Sequence, residues 1–454
     1  MTDRAAARRS LLQHLRATEA EQVALLRALL QAPSANPPGD TRPAAAVLER
    51  FLAERGLAPA IHAARPDLPN IVATFAGARP GGHLVFNGHM DVFPPNDAHG
   101  WSGDHRDGRL YGRGAADMKA GTAASTIAFA ALARIAPSLA GRVTLTAVSD
   151  EETGGRWGTR HLFETLGDAV KGDVCLNGEP SGINNIRFME KGTLRMTVTV
   201  RTRGAHGGYP HLSPSAIKLA CAIVTAFEGL HGFEPALPDA VARALSDPAV
   251  IAAHDAGLGV GASAIVRQVV FNAGVIAGGS KVNVLPDRCA LHCEFRYPWG
   301  LDRAAMEGNV RRILARFPEA SLAVHEDHSY PPSLADPADP MVGILADVVE
   351  RDLGRPRPVP CCSLGGSDSR YWRWAGVPAF LYGPSPVTMG QADEHVTVEE
   401  FLHVARAHAL AAFDWLAARA AAQSCRACTG TAADGTLAPP HQPGLSACAF
   451  PAGL

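Results

Sequence analysis

Apolar residues recur at helical spacing near the start of the chain: Leu11, Leu12, Leu15, Val23, Leu25, Leu26, Leu29 and Leu30. The pattern predicts a helix over residues 11–33, ended by Ser34-Ala-Asn-Pro-Pro-Gly39. A second helix reads from Ala44 to Arg55, closed by Gly56. Short apolar runs then alternate with helical stretches. Leu68–Phe75 and His83–Asn87 read as strands, Met118–Ile135 as a small-residue helix, and Val143–Val148 and Val174–Asn177 as further strands. Strand, loop and helix in alternation imply an α/β layer with a largely parallel sheet.

The texture changes near Lys191. Thr193–Thr202 alternates strictly, which suits a sheet with one solvated face. A helix follows at Ser215–Leu230, then an irregular Pro- and Asp-rich stretch. Strands are expected at Ala262–Phe271, Cys289–Phe295 and Ser321–His325, with a helix at Ala304–Phe317. The first texture returns with a helical pattern at Met341–Leu353, a strand at Val377–Tyr382 and a last helix at Val398–Ala420. The expected organisation is a three-layer α/β/α domain in two parts, residues 1–190 and 331–420. Its mixed, largely parallel sheet is interrupted by an α+β domain inserted over 191–330. An Ala-, Gly- and Pro-rich disordered tail is expected over 421–454.

Composition narrows the function. The chain has 454 residues, 47% of them hydrophobic and 19% charged, with a formal net charge of −2. That supports a sizeable core and gives no basis for nucleic-acid or polybasic membrane binding. No signal-peptide core stands at the N-terminus, and no stretch approaches the roughly 20 apolar residues of a membrane span. A soluble, cytoplasmic protein is expected. Of nine cysteines, Cys175, Cys221, Cys289, Cys293, Cys361 and Cys362 lie in apolar or strand-like contexts and read as buried thiols. Cys425-Arg-Ala-Cys428, without a second pair or nearby histidines, reads as incidental, as does Cys448.

Five clusters carry candidate chemistry: His89-Met90-Asp91, Asp117, Glu151-Glu152, Glu179 and His395. Each adjoins an apolar stretch and glycines, where a strand stops and a loop opens. Histidine nitrogen with carboxylate oxygen, and no cysteine nearby, suits a catalytic zinc-like site rather than a structural one. Residues i and i+2 of a strand point the same way, so Asp91 can orient the His89 ring. The glycines around Asp117 permit close backbone approach, and its two oxygens can bridge two cations. Glu151 and Glu152 are adjacent and project apart, so one can hold metal while the other stays free as a base. Singly, each cluster has an ordinary reading as surface polarity, helix cap or loop acid. Five together, all Asp, Glu and His, do not.

These segments resemble the superfamily of dinuclear zinc hydrolases that contains acetylornithine deacetylase, succinyl-diaminopimelate desuccinylase, aminoacylase and glutamate carboxypeptidase. The likeness rests on Gly88-His-Met-Asp-Val92, Gly112-Arg-Gly-Ala-Ala-Asp-Met-Lys-Ala-Gly121, Asp150-Glu-Glu-Thr-Gly-Gly155 and Asn177-Gly-Glu-Pro180. It continues through Gly204-Ala-His-Gly-Gly-Tyr-Pro210, Asn283-Val-Leu-Pro286, Gly365-Gly-Ser-Asp368 and Ala392-Asp-Glu-His-Val396. It implies that His89, Asp117 and Glu179 ligate one metal and that Asp117, Glu152 and His395 ligate the other. It makes Glu151 the general base and Asp91 the carboxylate that orients His89. The inserted domain becomes a lid that also carries a homodimer interface, and His206 an oxyanion-stabilising residue that reaches the neighbouring subunit's site. Arg296, Asn283, Gly366 and Ser367 resemble groups that hold the substrate's carboxylate and carbonyl. The implied cofactors are two divalent ions, Zn²⁺ first, with Co²⁺ and Mn²⁺ as alternatives.

The implied reaction is amide hydrolysis, in which a metal-bridging water loses its proton to Glu151 and attacks the carbonyl. The substrate reading is an N-acyl amino acid, with a short peptide, and so a carboxypeptidase or dipeptidase, as the alternative. An inactive metal-binding scaffold is the third reading, and Glu151 argues against it. The loop His206-Gly-Gly-Tyr-Pro-His-Leu212 looks desuccinylase-like. Glu190, where desuccinylases carry a basic residue, argues the other way.

Overall fold

The computed structural model describes residues 4–95 and 100–429. Its main sheet has nine strands. In spatial order they are Ala60–His62, Asn70–Ala76, Ala140–Val148, Arg79–His89, Val174–Asn177, Ala379–Leu381, Asn185–Glu190 and Ser333–Leu334, with Val359–Ser363 paired to Asn185–Glu190. The centre is parallel: Arg79–His89 pairs in that sense with both Ala140–Val148 and Val174–Asn177. The flanks turn antiparallel at Asn70–Ala76 and Ser333–Leu334. Arg79–His89 is buried without a break from Leu84 onward, as expected of a strand covered on both faces. Leu84 and Phe86 enter the larger core, while Val85 between them packs with Cys175, Trp372 and Ala379 on the other face. Helices Lys119–Arg134 and Val398–Thr429 cover the first face, and Thr159–Leu166 and Ser369–Trp374 the second. This is the three-layer α/β/α arrangement.

A second sheet of four strands runs in the order Val270–Gly278, Arg288–Tyr297, Gly192–Arg201 and Ala320–Val324, all antiparallel. Its core is separate, with Phe227, Phe271 and Phe295 packed together beneath helix Ala216–Glu228. The chain enters and leaves this unit side by side, because Thr193 and Tyr330 exchange backbone hydrogen bonds of 2.9 and 2.8 Å.

Four expectations need correction. The single helix over 11–33 is two, Arg4–Ala17 and Glu19–Leu30. Thr18 breaks it, with its hydroxyl donating back to the His14 carbonyl at 2.9 Å. The leucine spacing hides that break because both halves bury leucines in one core. The strand expected at Ala262–Phe271 is a short helix, Ala262–Ile265, followed by a strand at Val270–Gly278. That strand lies at a sheet edge with exposed residues from Asn272 on, so no burial alternation marks it. Cys221 is exposed on its helix rather than buried. The last helix continues to Thr429, past the expected start of the tail. The rest of the tail reading, from residue 430 with Cys448, lies outside the described residues. No described helix is long and apolar enough to cross a membrane.

Candidate metal centre and active site

Each acid reaches the cleft by a local device. The strand Arg79–His89 ends on His89, and Ala140–Val148 ends just before Ser149 and Asp150. Asp150 takes a left-handed backbone, φ 78°, uncommon for a residue with a side chain. The turn is held by its own carboxylate, which accepts from Trp157 N at 2.9 Å and from the Thr153 hydroxyl. This sharp turn delivers Glu151 and Glu152. Asp117 stands just before helix Lys119–Arg134, and Glu179 two residues after strand Val174–Asn177. Gly121 and Gly178 bring those two segments together. A methyl group on Gly121 would lie 1.9 Å from the Gly178 carbonyl oxygen.

His89 Nδ1 lies 2.9 Å from the Asp91 carbonyl oxygen and 3.5 Å from its carboxylate. The nearer main-chain oxygen therefore takes the Nδ1 proton and leaves Nε2 free as a ligand. The fully buried Asp91 carboxylate accepts from Glu151 N at 3.2 Å, Glu152 N at 3.1 Å and Asn36 Nδ2 at 2.9 Å. Asp91 thus fixes the acidic turn as well as the imidazole. His89 Nε2 points at Asp117 Oδ1, 3.3 Å away, and Glu179 Oε1, 3.4 Å away.

The electrostatics are those of a crowded, dry carboxylate nest. Burial, and then the neighbouring Asp117 charge, push the Glu179 carboxyl up to about 7. Burial first, then like charges, raise Glu152 well above the usual range. Burial likewise raises Glu151, against the pull of His89 and Arg370. Burial opposes a charge on His89, but the carboxylates of Asp117, Asp91 and Glu179 raise its pKa well above the ordinary value. Among the described residues, buried His89 Nε2, Asp117 Oδ1 and Glu152 Oε1 have no hydrogen-bond partner. Orphaned acceptors converging in one place are costly unless a cation satisfies them. Ligand atoms of His89, Asp117 and Glu152 lie within 4.8 Å of one another, as do those of His89, Glu151 and Glu179. The donor set fits divalent ions of the zinc type.

The chain from residue 85 to residue 414 matches the model of peptidase family M20/M25/M40. The chain belongs to this family. A succinyl-diaminopimelate desuccinylase of Methylorubrum populi is 29% identical over 401 residues, which cover 83% of this chain and 94% of that protein. Among solved structures, the M20 metallo-carboxypeptidase Sso-CP2 of Sulfolobus solfataricus aligns at a TM-score of 0.73 and 17% identity, covering 87% of this chain and 98% of that one. The Bacillus subtilis YXEP protein, described as a dinuclear metal-binding M20 peptidase, aligns at 0.60 and 14%, covering 88% and 99%. This M20 protein is a metal-dependent amidohydrolase.

Its other expected site residues are placed unevenly. Arg296, Gly366 and Ser367 line a cavity of about 480 Å³ together with Asp117, Glu151, Glu152 and Glu179. The Ser367 hydroxyl donates to Glu190. His395 opens a strand of a separate three-stranded sheet and is in neither ligand group. Its Nδ1 lies 2.8 Å from the Asp393 carbonyl oxygen. Its neighbour Glu394 accepts from Gly114, Ala116 and Asp117 N at 3.0, 2.9 and 3.2 Å, so the two segments are tied together. His206, on the short strand Ala205–His206, and Asn283 are exposed and lie outside the cavity lining, and their segments meet where Gly207 N donates to the Asn283 carbonyl at 2.8 Å.

Sequence reasoning missed Asn36, Glu394 and Arg370. Asn36 read only as part of a helix stop. Glu394 sat unremarked beside His395. Arg370, two residues past the Gly365–Asp368 motif, is buried and donates to Glu151 Oε1 at 3.3 Å and the Gly154 carbonyl at 3.1 Å. Its only sequence signal was nearness to that motif.

Proposed function

We propose that this M20 protein is an N-acyl-amino-acid deacylase, which hydrolyses the linear amide between an acyl group and an amino acid. One observation carries the reading. Ligand atoms of His89, Asp117 and Glu152 and of His89, Glu151 and Glu179 converge, and Arg370 donates to Glu151, in a cavity that Arg296 also lines. His89, Asp117 and Glu179 would hold one divalent ion, and Asp117, Glu152 and His395 the other. Zn²⁺ is the first choice, with Co²⁺ and Mn²⁺ as alternatives. When bound, such ions polarise a carbonyl and lower the pKa of water. Glu151 takes the proton of the attacking water and passes it to the leaving amine. Arg370 aims the Glu151 carboxylate and favours its ionised form against the opposing effect of burial. Arg296 binds the substrate carboxylate.

The inserted four-stranded unit serves as lid and homodimer interface. Its edge strand Val270–Gly278 exposes Val275 and Ile276, and an unpaired edge invites a second chain. His206 and Asn283 then serve the partner's cavity, with His206 on the developing oxyanion. The setting is a soluble, cytoplasmic enzyme acting on small molecules. The cavity volume also admits a dipeptide, so a metallo-carboxypeptidase or dipeptidase is the second reading.

The test is a panel of N-acyl amino acids and free dipeptides on metal-reconstituted protein, with Glu151→Gln as control. Amino-acid release from N-acyl donors, lost by about 100-fold or more in a variant that still binds metal, is expected. Cleavage of dipeptides alone would replace the first reading with the second. No release from either would leave a metal-binding scaffold. Mixing Glu151→Gln and His206→Ala subunits should restore about a quarter of wild-type activity, because a random mixed dimer keeps one complete site. No recovery would remove His206 from the partner's site.

A further inference from the structure

Four arginines are buried among the described residues: Arg113, Arg187, Arg370 and Arg373. Three have carboxylates. Arg113 pairs with Glu394, Arg370 with Glu151 at 3.3 Å, and Arg373 with Glu190 at 3.1 Å. Arg187 has none within ion-pair distance among the described residues. It is 7% exposed, on strand Asn185–Glu190, and it lines the cavity that holds Glu179 and Arg296. Its two polar contacts are long and neutral: Ser363 Oγ at 3.3 Å and the Ser181 carbonyl at 3.4 Å. Burial lowers its pKa, against the attraction of Glu179 first and then of Cys361, Glu190 and Asp117, and of these Glu179 and Asp117 are committed to cations in the reading above. A desolvated guanidinium without a counter-charge is unfavourable unless a ligand supplies one.

Neighbouring charges do not take over this role. Glu190 is sealed away by Arg373, by Ser333 at 3.2 Å and by Ser367, so its charge does not face the cavity. Lys191 is spent on the carbonyls of Ile265 and Gln268, at 2.5 and 2.7 Å. Arg195 and Arg296 both line the cavity and share Glu294, at 3.2 and 3.0 Å, which leaves that wall one positive charge in excess.

We propose that Arg187 is a second anion-binding residue of the substrate cleft, so that the preferred substrate carries a carboxylate beyond the one bound by Arg296. This rests on the deacylase reading for the reaction, but not for the anion site. The second carboxylate sits either at the end of a dicarboxylic acyl group or on an acidic amino-acid side chain.

The experiment compares N-succinyl-leucine, N-acetyl-glutamate and N-acetyl-leucine on metal-loaded wild type, Arg187→Gln and Arg187→Lys. It adds calorimetric titration with succinate and acetate, and melting curves to verify folding. Wild type should prefer one of the two dicarboxylates over N-acetyl-leucine, and which one is preferred identifies the source of the carboxylate. Arg187→Gln should lose about 10- to 100-fold in kcat/KM on that substrate, and less than about threefold on N-acetyl-leucine. Arg187→Lys should recover part of the loss. Succinate should bind wild type more tightly than acetate does, and the Gln variant should lose that difference. An equal loss on all three substrates, or no dicarboxylate preference in wild type, overturns the proposal. If wild type cleaves no N-acyl donor yet succinate binding still depends on Arg187, the deacylase reading falls and the anion site stands.

Discussion

Replacing Glu179 by Gln should stabilise the metal-free protein and weaken its response to metal. In the fold, burial beside Asp117 moves the Glu179 carboxyl from its ordinary 4.5 to about 7. The folded state therefore holds the proton more tightly than the unfolded chain does. The associated stability is complete below pH 4.5, is lost as pH rises towards 7, and is absent above it. At about 1.4 kcal/mol per pKa unit, holding the ionised carboxylate costs the empty site on the order of 3 kcal/mol at pH 8. Gln removes that cost and keeps the shape. Urea or thermal melts at pH 8 in EDTA should place Glu179→Gln above wild type by up to that amount, which is a few °C for a chain of this size. With Zn²⁺ the order should reverse. Wild type gains about 4 kcal/mol when free metal stands near 1,000 times Kd, and the variant, missing a ligand, gains far less. A variant less stable than wild type in EDTA, or one stabilised equally by zinc, would refute the argument that these acids are a cation nest.

Three further outcomes follow from packing and charge. Gly121→Ala should force apart the Asp117 and Glu179 segments, because its methyl would lie 1.9 Å from the Gly178 oxygen. A loss of about 1–3 kcal/mol in melts and reduced metal stoichiometry are expected, and unchanged stoichiometry would oppose it. Glu394→Ala leaves Arg113 buried without its partner and strips three backbone amides of an acceptor, so about 3–5 kcal/mol should be lost in denaturation. A loss below about 1 kcal/mol would contradict that role. Burial holds His408 and His403 at about 4, below the ordinary 6.5, so the folded state refuses protons that the unfolded chain takes up. Their contribution is full above 6.5 and shrinks as pH falls towards 4, by on the order of 2 kcal/mol each at pH 5. Because empty-site Glu179 titrates in the opposite sense, the readout is the pH dependence of the stability difference between wild type and His408→Gln in EDTA. A difference that stays flat from pH 7.5 to pH 5 would deny the effect.

The parts of this protein that could be read from its sequence are those whose chemistry is local. Strands such as Val143–Val148 announce themselves because both faces are buried and every residue is apolar or small. His89, Asp117, Glu151, Glu152 and Glu179 were visible because each sits beside glycine at the edge of such a run. What stayed hidden depends on partners far along the chain. Asn36 reaches Asp91 across 55 positions, Arg370 reaches Glu151 across 219, and Glu394 reaches Asp117 across 277. Strand Asn185–Glu190 is not legible because Asn185, Arg187 and Glu190 leave only three of its six residues apolar. Both charges are buried there for different reasons, one matched by Arg373 and one left unmatched at the cavity. A sequence shows that a charge interrupts a strand, but not whether the fold brings it a counter-charge. Among the described residues, three of the four buried arginines stand against carboxylates, and the fourth is where the missing partner has to come from outside.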